Sequence, residues 1–581
     1  VSAGRRFCQN ENVAEVGIRV REHGALVPIA PRGVALYRIP LTLTLLGLFL
    51  IAVQAGQPVV GFAIMVTALV STAAFAWRSL SRRYAPALAL RDQGDANLVR
   101  GRYAEARALY ERALDIVQRE LPPAAPEVLL NYYSLAAVNS MLQEHARADQ
   151  YLDKLLSGLN HRVPAPWAGH VAWLLRRVAH HHSMEGRHKH AIKLCERALD
   201  LVGEAPGADD NTVRSLLDDL AWIHHHAGDY ATAELCFRDA LAVHEQFRDI
   251  AIEIAQRPDP RSSGGDSPYR APSPPTGHTS GGLDRAVAYS LLGLGWTVYE
   301  RGGYEEARGL FQRAGMIASG GIRRDSPAAP RSRTALMVEI LRGRAAVEMT
   351  LGNYDAAATY YREAQTQLQT DEGAVQGAAL AIDLGWLARC RERFDDAEEA
   401  YAIVSKALEQ NGEGMGTIAC ALQESLAELR RRQGRHREAH RAIVRASGLA
   451  ESCLGTEHPR RAAILAIASR IHTARSEYGE AERAARKCLQ VLRAALGRNH
   501  PRLADGYVAL GEVHLGRGQF GAAEQAFAKA LELREAMLGA EHPELVEVLE
   551  GKVAVLRATM RDEEADKTAE RAAEIRERIS A

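Results

Sequence analysis

Small and apolar positions recur along this chain with a period of about 42 residues from Tyr84 onward. The strongest recurring word is Gly-x-aromatic-x-x-Ala, seen as GRYAEA at Gly101, GDYATA at Gly228, GGYEEA at Gly302, GNYDAA at Gly352 and GQFGAA at Gly518. Variants at Gly186, Glu392, Gly434 and Ser476 keep the frame, and weaker copies stand at Gln143 and Met560. The third position of each word, the anchor, falls at Tyr103, His145, His188, Tyr230, Tyr304, Tyr354, Phe394, His436, Tyr478, Phe520 and Asp562. Three residues after every anchor comes an alanine, from Ala106 to Ala565. Such a column predicts a place where two helices approach too closely for a larger side chain. Nine residues before the anchor the chain is again mostly small (Gly94, Ala136, Ala179, Ala221, Gly295), and thirteen before it mostly large (Leu90, Tyr132, Leu175). Apolar residues at helical spacing on either side of a glycine turn predict two antiparallel helices per unit.

The last three units are joined by a second word, LGTEHPRRA, LGRNHPRLA and LGAEHPELV, with histidines at His458, His500 and His542. With this linker the array resembles the tetratricopeptide repeat of the 42-residue, kinesin-light-chain-like type, from residue 84 to 578. The resemblance implies an all-α, right-handed superhelical α-solenoid of about eleven helix-turn-helix repeats, whose first helices line a concave groove. Val553 and Asp562 depart from the pattern in the last unit, and Asp562, in place of the turn aromatic, suits a terminal cap whose outer face meets water.

A histidine on a fixed schedule is a candidate chemical site. Pro459, Pro501 and Pro543 stand 19 residues before their anchors, however, and so does Pro126, which follows Ala125 rather than a histidine. The slot keeps proline and loses histidine, so the word reads as a helix stop followed by a helix start. Packed helices lie roughly 8–10 Å apart, too far for histidines one repeat apart to share a metal. No metal, cofactor or catalytic residue is assigned.

The groove carries the functional expectation. Trp222, Trp296 and Trp386 each stand eight residues before their anchors, a slot that the resemblance places on the concave face. By the same resemblance Tyr133, Trp173, Tyr289 and Tyr299 take neighbouring groove slots. His180, His225 and His226 form a histidine cluster there, and Arg389, Arg431 and Arg432 a basic patch farther along. An aromatic stripe ending in arginines suits an extended peptide with apolar anchors and an acidic end.

Outside the array, residues 39–77 contain no charged side chain, and a polar break at Gln54–Pro58 divides them. That pattern predicts a transmembrane helical hairpin over 37–78 after an N-terminal tail of residues 1–36. Arginines on both flanks place both termini and the repeats in the cytoplasm of an integral membrane protein, at a bacterial inner membrane. Repeats 1–4 are expected over 84–256 and repeats 5–11 over 285–578. Between them, 257–284 is rich in Pro, Ser and Gly and is read as a flexible insertion. Charge balances at 72 basic against 72 acidic residues, which supplies no general field for nucleic acid. The seven cysteines include no CxxC pair, and no phosphate loop or nucleophile elbow is present. The expectation is a non-enzymatic scaffold that holds a protein or peptide partner at the membrane. A structural subunit of a larger membrane complex, or a sensor using the histidine cluster, are the alternatives.

Overall fold

The computed structural model describes residues 85–580 apart from 99, 143, 159–164, 185, 204–209, 257–279, 321–329, 369–373, 412–414 and 456–457. The tail over 1–36 and the hairpin expected at 37–78 lie outside the described residues. Among those described, no helix is long and apolar enough to cross a membrane. The anchor therefore rests on the sequence pattern alone.

The described residues form an all-α array of 22 helices paired as the period predicts. They fall into two compact units, one of residues 85–178 and 200–203, the other of 179–199 and 210–580. The pairs of repeats 1 to 3 are α1 (85–98) with α2 (Tyr103–Glu120), α3 (Pro126–Met141) with α4 (His145–Gly158), and α5 (Ala165–Met184) with α6 (His188–Gly203). Repeats 4 to 7 are α7 (Asp210–Ala227) with α8 (Tyr230–Gln256), α9 (Ser280–Glu300) with α10 (Tyr304–Gly320), α11 (Pro330–Thr350) with α12 (Tyr354–Gln367), and α13 (Ala374–Cys390) with α14 (Phe394–Asn411). Repeats 8 to 11 are α15 (Gly416–Arg432) with α16 (His436–Leu454), α17 (Arg461–Ala474) with α18 (Tyr478–Leu496), α19 (Leu503–Gly516) with α20 (Phe520–Leu538), and α21 (Leu545–Ala558) with α22 (Asp562–Ser580). Helix α9 begins inside the stretch read as an insertion.

The alanine column does what its invariance within the chain predicts. All eleven alanines, from Ala106 to Ala565, have no exposed surface. A second column explains the small residues nine before the anchor. Seven residues after the anchor a ring often stands fully buried, as Tyr110, Phe237, Phe311, Tyr361, Tyr401 and Phe527. A methyl group placed on Gly295 would come within 2.7 Å of the Phe311 ring, and one on Gly511 within 2.8 Å of Phe527. The ring occupies the volume that the glycine leaves. Truncating such a ring to alanine costs about 3–5 kcal/mol.

The turn between paired helices is left-handed wherever it is described. Gly228, Gly302 and Gly352 have φ of 79°, 88° and 81° there, and even Glu392, Ser476 and Met560 are held at 57°, 62° and 58°. Glycine takes this conformation without a steric penalty, which is why it dominates the slot.

In the larger unit the array coils back on itself. The HisPro word of repeat 9 packs on the turn glycine of repeat 4, with Pro459 against Gly228. Repeat 10 meets repeat 5, where a methyl group on Gly302 would stand 3.4 Å from both His500 Nε2 and Pro501 Cδ. Repeat 11 meets repeat 6, where one on Gly352 would stand 2.7 Å from Pro543 Cδ. The offset is five repeats each time, so one superhelical turn of this unit takes five repeats and successive turns touch.

This contact revises the reading of the histidines as punctuation. Each imidazole Nδ1 accepts the backbone N–H two residues on, from Arg460 at 3.1 Å, Arg502 at 3.2 Å and Glu544 at 3.2 Å. With Nδ1 accepting, Nε2 carries the proton. His500 donates it to the Glu300 carbonyl at 3.1 Å, and His542 to the Thr350 carbonyl at 2.6 Å. At Pro126 the preceding Ala125 offers no side-chain cap. Proline starts the helix in both settings, while histidine also caps it and, at His500 and His542, joins it to the turn below.

Candidate functional site

The first helices of repeats 4 to 11 contribute to the wall of one cavity of about 540 Å³ in the larger unit. That volume is within the ordinary range for ligand sites. The slot eight before the anchor points a series of residues at it: Trp222, Trp296, Ala346, Trp386, Glu428 and Arg470, from repeats 4 to 9 in order. One helical position thus changes from aromatic to charged along the cavity.

The aromatic end is built by stacking. The Trp222 ring meets the Phe237 ring edge-on at 5.3 Å, lies stacked on His226 at 5.6 Å and is edge-on to His225 at 5.4 Å. Trp296 is edge-on to Phe311 at 5.4 Å and to Tyr299 at 5.7 Å. The buried rings seven after the anchor therefore hold Trp222 and Trp296 from behind. All three cavity tryptophans are only half-buried, and Trp222 Nε1 has no hydrogen-bond acceptor. His225 Nδ1 donates to Thr297 Oγ1 at 3.0 Å, because that hydroxyl gives its own proton to the Gly293 carbonyl at 2.8 Å. Burial pushes His225 down to about 4 and His226 well below the usual imidazole range, so both are neutral near pH 7.

The other end is ionic, and most of its charges are already paired. Arg342 bonds Asp383 at 2.7 Å and Glu339 at 2.9 Å. Arg470 reaches Glu512 at 2.9 Å and also Glu547. Arg502 pairs with Glu300 at 2.6 Å. Burial would raise Glu300, but Arg502 and Arg460 beside it outweigh that and hold it at about 2. Glu547 is likewise held at about 2, with Arg470 and Arg534 prevailing over burial.

Here the expected basic patch is corrected. Arg431 bonds both oxygens of Glu428, each at 2.8 Å, and Arg432 bonds the same carboxylate at 3.1 Å. The carboxylate on the same helix takes up charge that an acidic peptide would have met. Neither arginine is a cavity-lining residue, while Arg389 is one, and its Nε has no partner.

Of the other expected groove residues, Trp222, His225, His226, Trp296, Tyr299 and Trp386 come together around the cavity. Tyr289 does not line it but packs behind Trp222 at 5.8 Å. His180, half-buried on α5, is not a lining residue. Tyr133 and Trp173 belong to the smaller unit, where Tyr133 is buried and the Arg177 guanidinium lies 5.2 Å from the Trp173 ring. The sequence reading missed Arg342, Arg470 and Glu547. Arg470 occupies the same slot as the tryptophans, so the slot itself was a sufficient signal.

Residues 86–160, 170–246, 469–536 and 502–578 match the family described as Tetratricopeptide repeat. The chain carries tetratricopeptide repeats. Repeats 5 to 8 fall between the matched stretches, yet they share the buried alanine and the left-handed turn of the others. No curated protein matches the chain in sequence. Among solved structures it is similar to the Rap conjugation gene regulator of plasmid pLS20 in complex with the Phr* peptide, at 16% identity and a TM-score of 0.42, over 72% of this chain and 97% of that one. It is also similar to yeast Tom70, at 17% identity and 0.31, over 82% and 96%. A putative kinesin light chain repeat protein of Podospora anserina follows at 15% and 0.28, over 42% and 99%.

Proposed function

We propose that this tetratricopeptide repeat protein is a non-enzymatic scaffold that binds a peptide or protein partner at the cavity of its larger unit. One observation carries the reading: three half-buried tryptophans from repeats 4, 5 and 7 converge on a single cavity, and Trp222 and Trp296 are braced from behind by buried rings. Rigid aromatic groups that keep part of their surface free are the side chains that most often dominate binding energy. The paired charges at the far end give the partner a polar wall of fixed geometry, which favours selectivity over raw affinity.

Attachment to a membrane through 37–78 belongs to this reading and rests on hydropathy and flanking arginines. A pH response near neutrality at the histidine cluster loses ground, because burial holds His225 and His226 neutral near pH 7. Co-purification tests the scaffold reading. The full chain is compared with the triple variant Trp222→Ala, Trp296→Ala, Trp386→Ala, with circular dichroism confirming that the variant is helical. Loss of a stoichiometric partner is the expected result. An unchanged partner set on a folded variant would sink the proposal.

A further inference from the structure

The contact between superhelical turns does more than stiffen the fold. His458, Pro459, Arg460 and Arg502 line the same cavity as Tyr230, Tyr299 and Glu300 on the opposite side of the seam. The seam is therefore a wall of the cavity. The seam is made of small, local contacts: a proline on a turn glycine at every step, one imidazole-to-carbonyl hydrogen bond in two of the three, one ion pair between Arg502 and Glu300, and Leu538 packed on the core of repeats 4–6. Contacts within a repeat are of a different kind, since they bury whole rings and eleven alanines.

From this contrast we infer that the HisPro words form a latch, which closes the larger unit over its cavity and can open while the helix pairs stay folded. Separating repeats 9–11 from repeats 4–6 breaks no hydrogen bond within a helix and gives up a hydrophobic contact with the core of repeats 4–6, that of Leu538. It requires only that the solenoid unwind slightly along its length. Repeat arrays permit this, because each repeat is held mainly by its neighbours. The latch also explains why histidine accompanies proline in repeats 9, 10 and 11, whose helix starts meet a turn five repeats back, and not at Pro126.

The Arg502–Glu300 pair makes the idea testable without any ligand, and therefore independently of the scaffold proposal. The full chain, the variant R502E and the charge swap E300R/R502E are compared by small-angle scattering and by acrylamide quenching of tryptophan fluorescence. The latch predicts that R502E is helical but expanded, with quenching of the cavity tryptophans raised roughly two-fold as local protection is lost. The swap should restore both values. A helical R502E as compact and as protected as the parent would overturn the inference, and so would a swap that restores neither.

If R502E loses its helicity, the pair E300C/R502C joined by a short bifunctional thiol reagent decides the matter. In the joined protein, H500A/H542A should keep parental quenching, whereas in the unjoined protein the same changes should raise it. Failure to join, or equal quenching in both forms, would overturn the latch.

Discussion

The slot eight residues before the anchor holds tryptophan in repeats 4, 5 and 7, but glutamate, arginine and glutamate in repeats 8, 9 and 10. The backbone around it is the same in both halves, with a fully buried alanine and a left-handed turn. What differs is how far each side chain is satisfied by its own protein. Glu428, Arg470 and Glu512 are engaged with neighbouring repeats or with their own helix. The tryptophans are braced on one side and free on the other. One position thus locks one half through ion pairs and leaves half-buried rings in the other.

The strongest way to break this comparison is to unlock the ionic half. Arg470→Ala strands Glu512 in a half-buried site and removes one of the arginines that hold Glu547. We expect a loss of about 3 kcal/mol in chemical denaturation, the low end for breaking a buried ion pair. Partner capture by the variant, measured where it is still folded, should be little changed.

Acid separates the two halves next. Burial holds His458 at about 3 and His500 and His542 at about 4, all below the unfolded value near 6.5. The unfolded chain therefore binds more protons than the folded one between those values. The stability these imidazoles contribute is complete above about pH 6.5 and is lost as pH falls toward 4. For Glu300 and Glu547, held at about 2, the contribution is complete above about pH 4.5 and is lost as pH falls toward 2. A pH series of scattering and thermal melts should show the contribution of the seam imidazoles failing first and that of the Glu300 and Glu547 ion pairs later. A single transition below pH 4 would contradict that order.

A smaller effect is expected in the aromatic half. Trp296→Ala removes a half-buried indole from against Phe311 and Tyr299, at a stability cost of about 2 kcal/mol, below the range for a fully buried aromatic. Its effect on partner capture should exceed that of Arg470→Ala, which reverses the ranking by stability. The smallest expected effect is a gain. Glu392→Gly relieves a non-glycine residue at φ 57°, and the melting free energy should rise by about 0.5–1 kcal/mol after the added chain entropy of glycine is offset.

Much of this molecule is legible from its words. The helix pairs, the alanine column and the left-handed glycines follow from spacing and local sterics, which need no knowledge of the rest of the chain. That the tryptophans share one slot was legible from the same spacing, while its placement on the groove came from the resemblance to the repeat family. The five-repeat seam was not, because it depends on a small rotation accumulated over some 200 residues between Glu300 and His500. The pairing of Arg431 and Arg432 with Glu428 lay within reach, since three- and four-residue spacings on a helix bring such groups together. Counting the arginines without the carboxylate before them overstated the charge left for a partner.

The central claim is that a partner engages the cavity from its aromatic end. Ala346 occupies the tryptophan slot of repeat 6 and lines that cavity, whereas Leu235 on α8 is 62% exposed and is not a lining residue. A photo-crosslinking side chain placed at each position, in the parent chain and in the triple tryptophan variant, tests the claim most directly. The account predicts an adduct with the co-purifying partner from position 346 of the parent, none from position 235, and loss of the first in the variant. An adduct from position 235 alone, or one from position 346 that survives the loss of all three tryptophans, would contradict it.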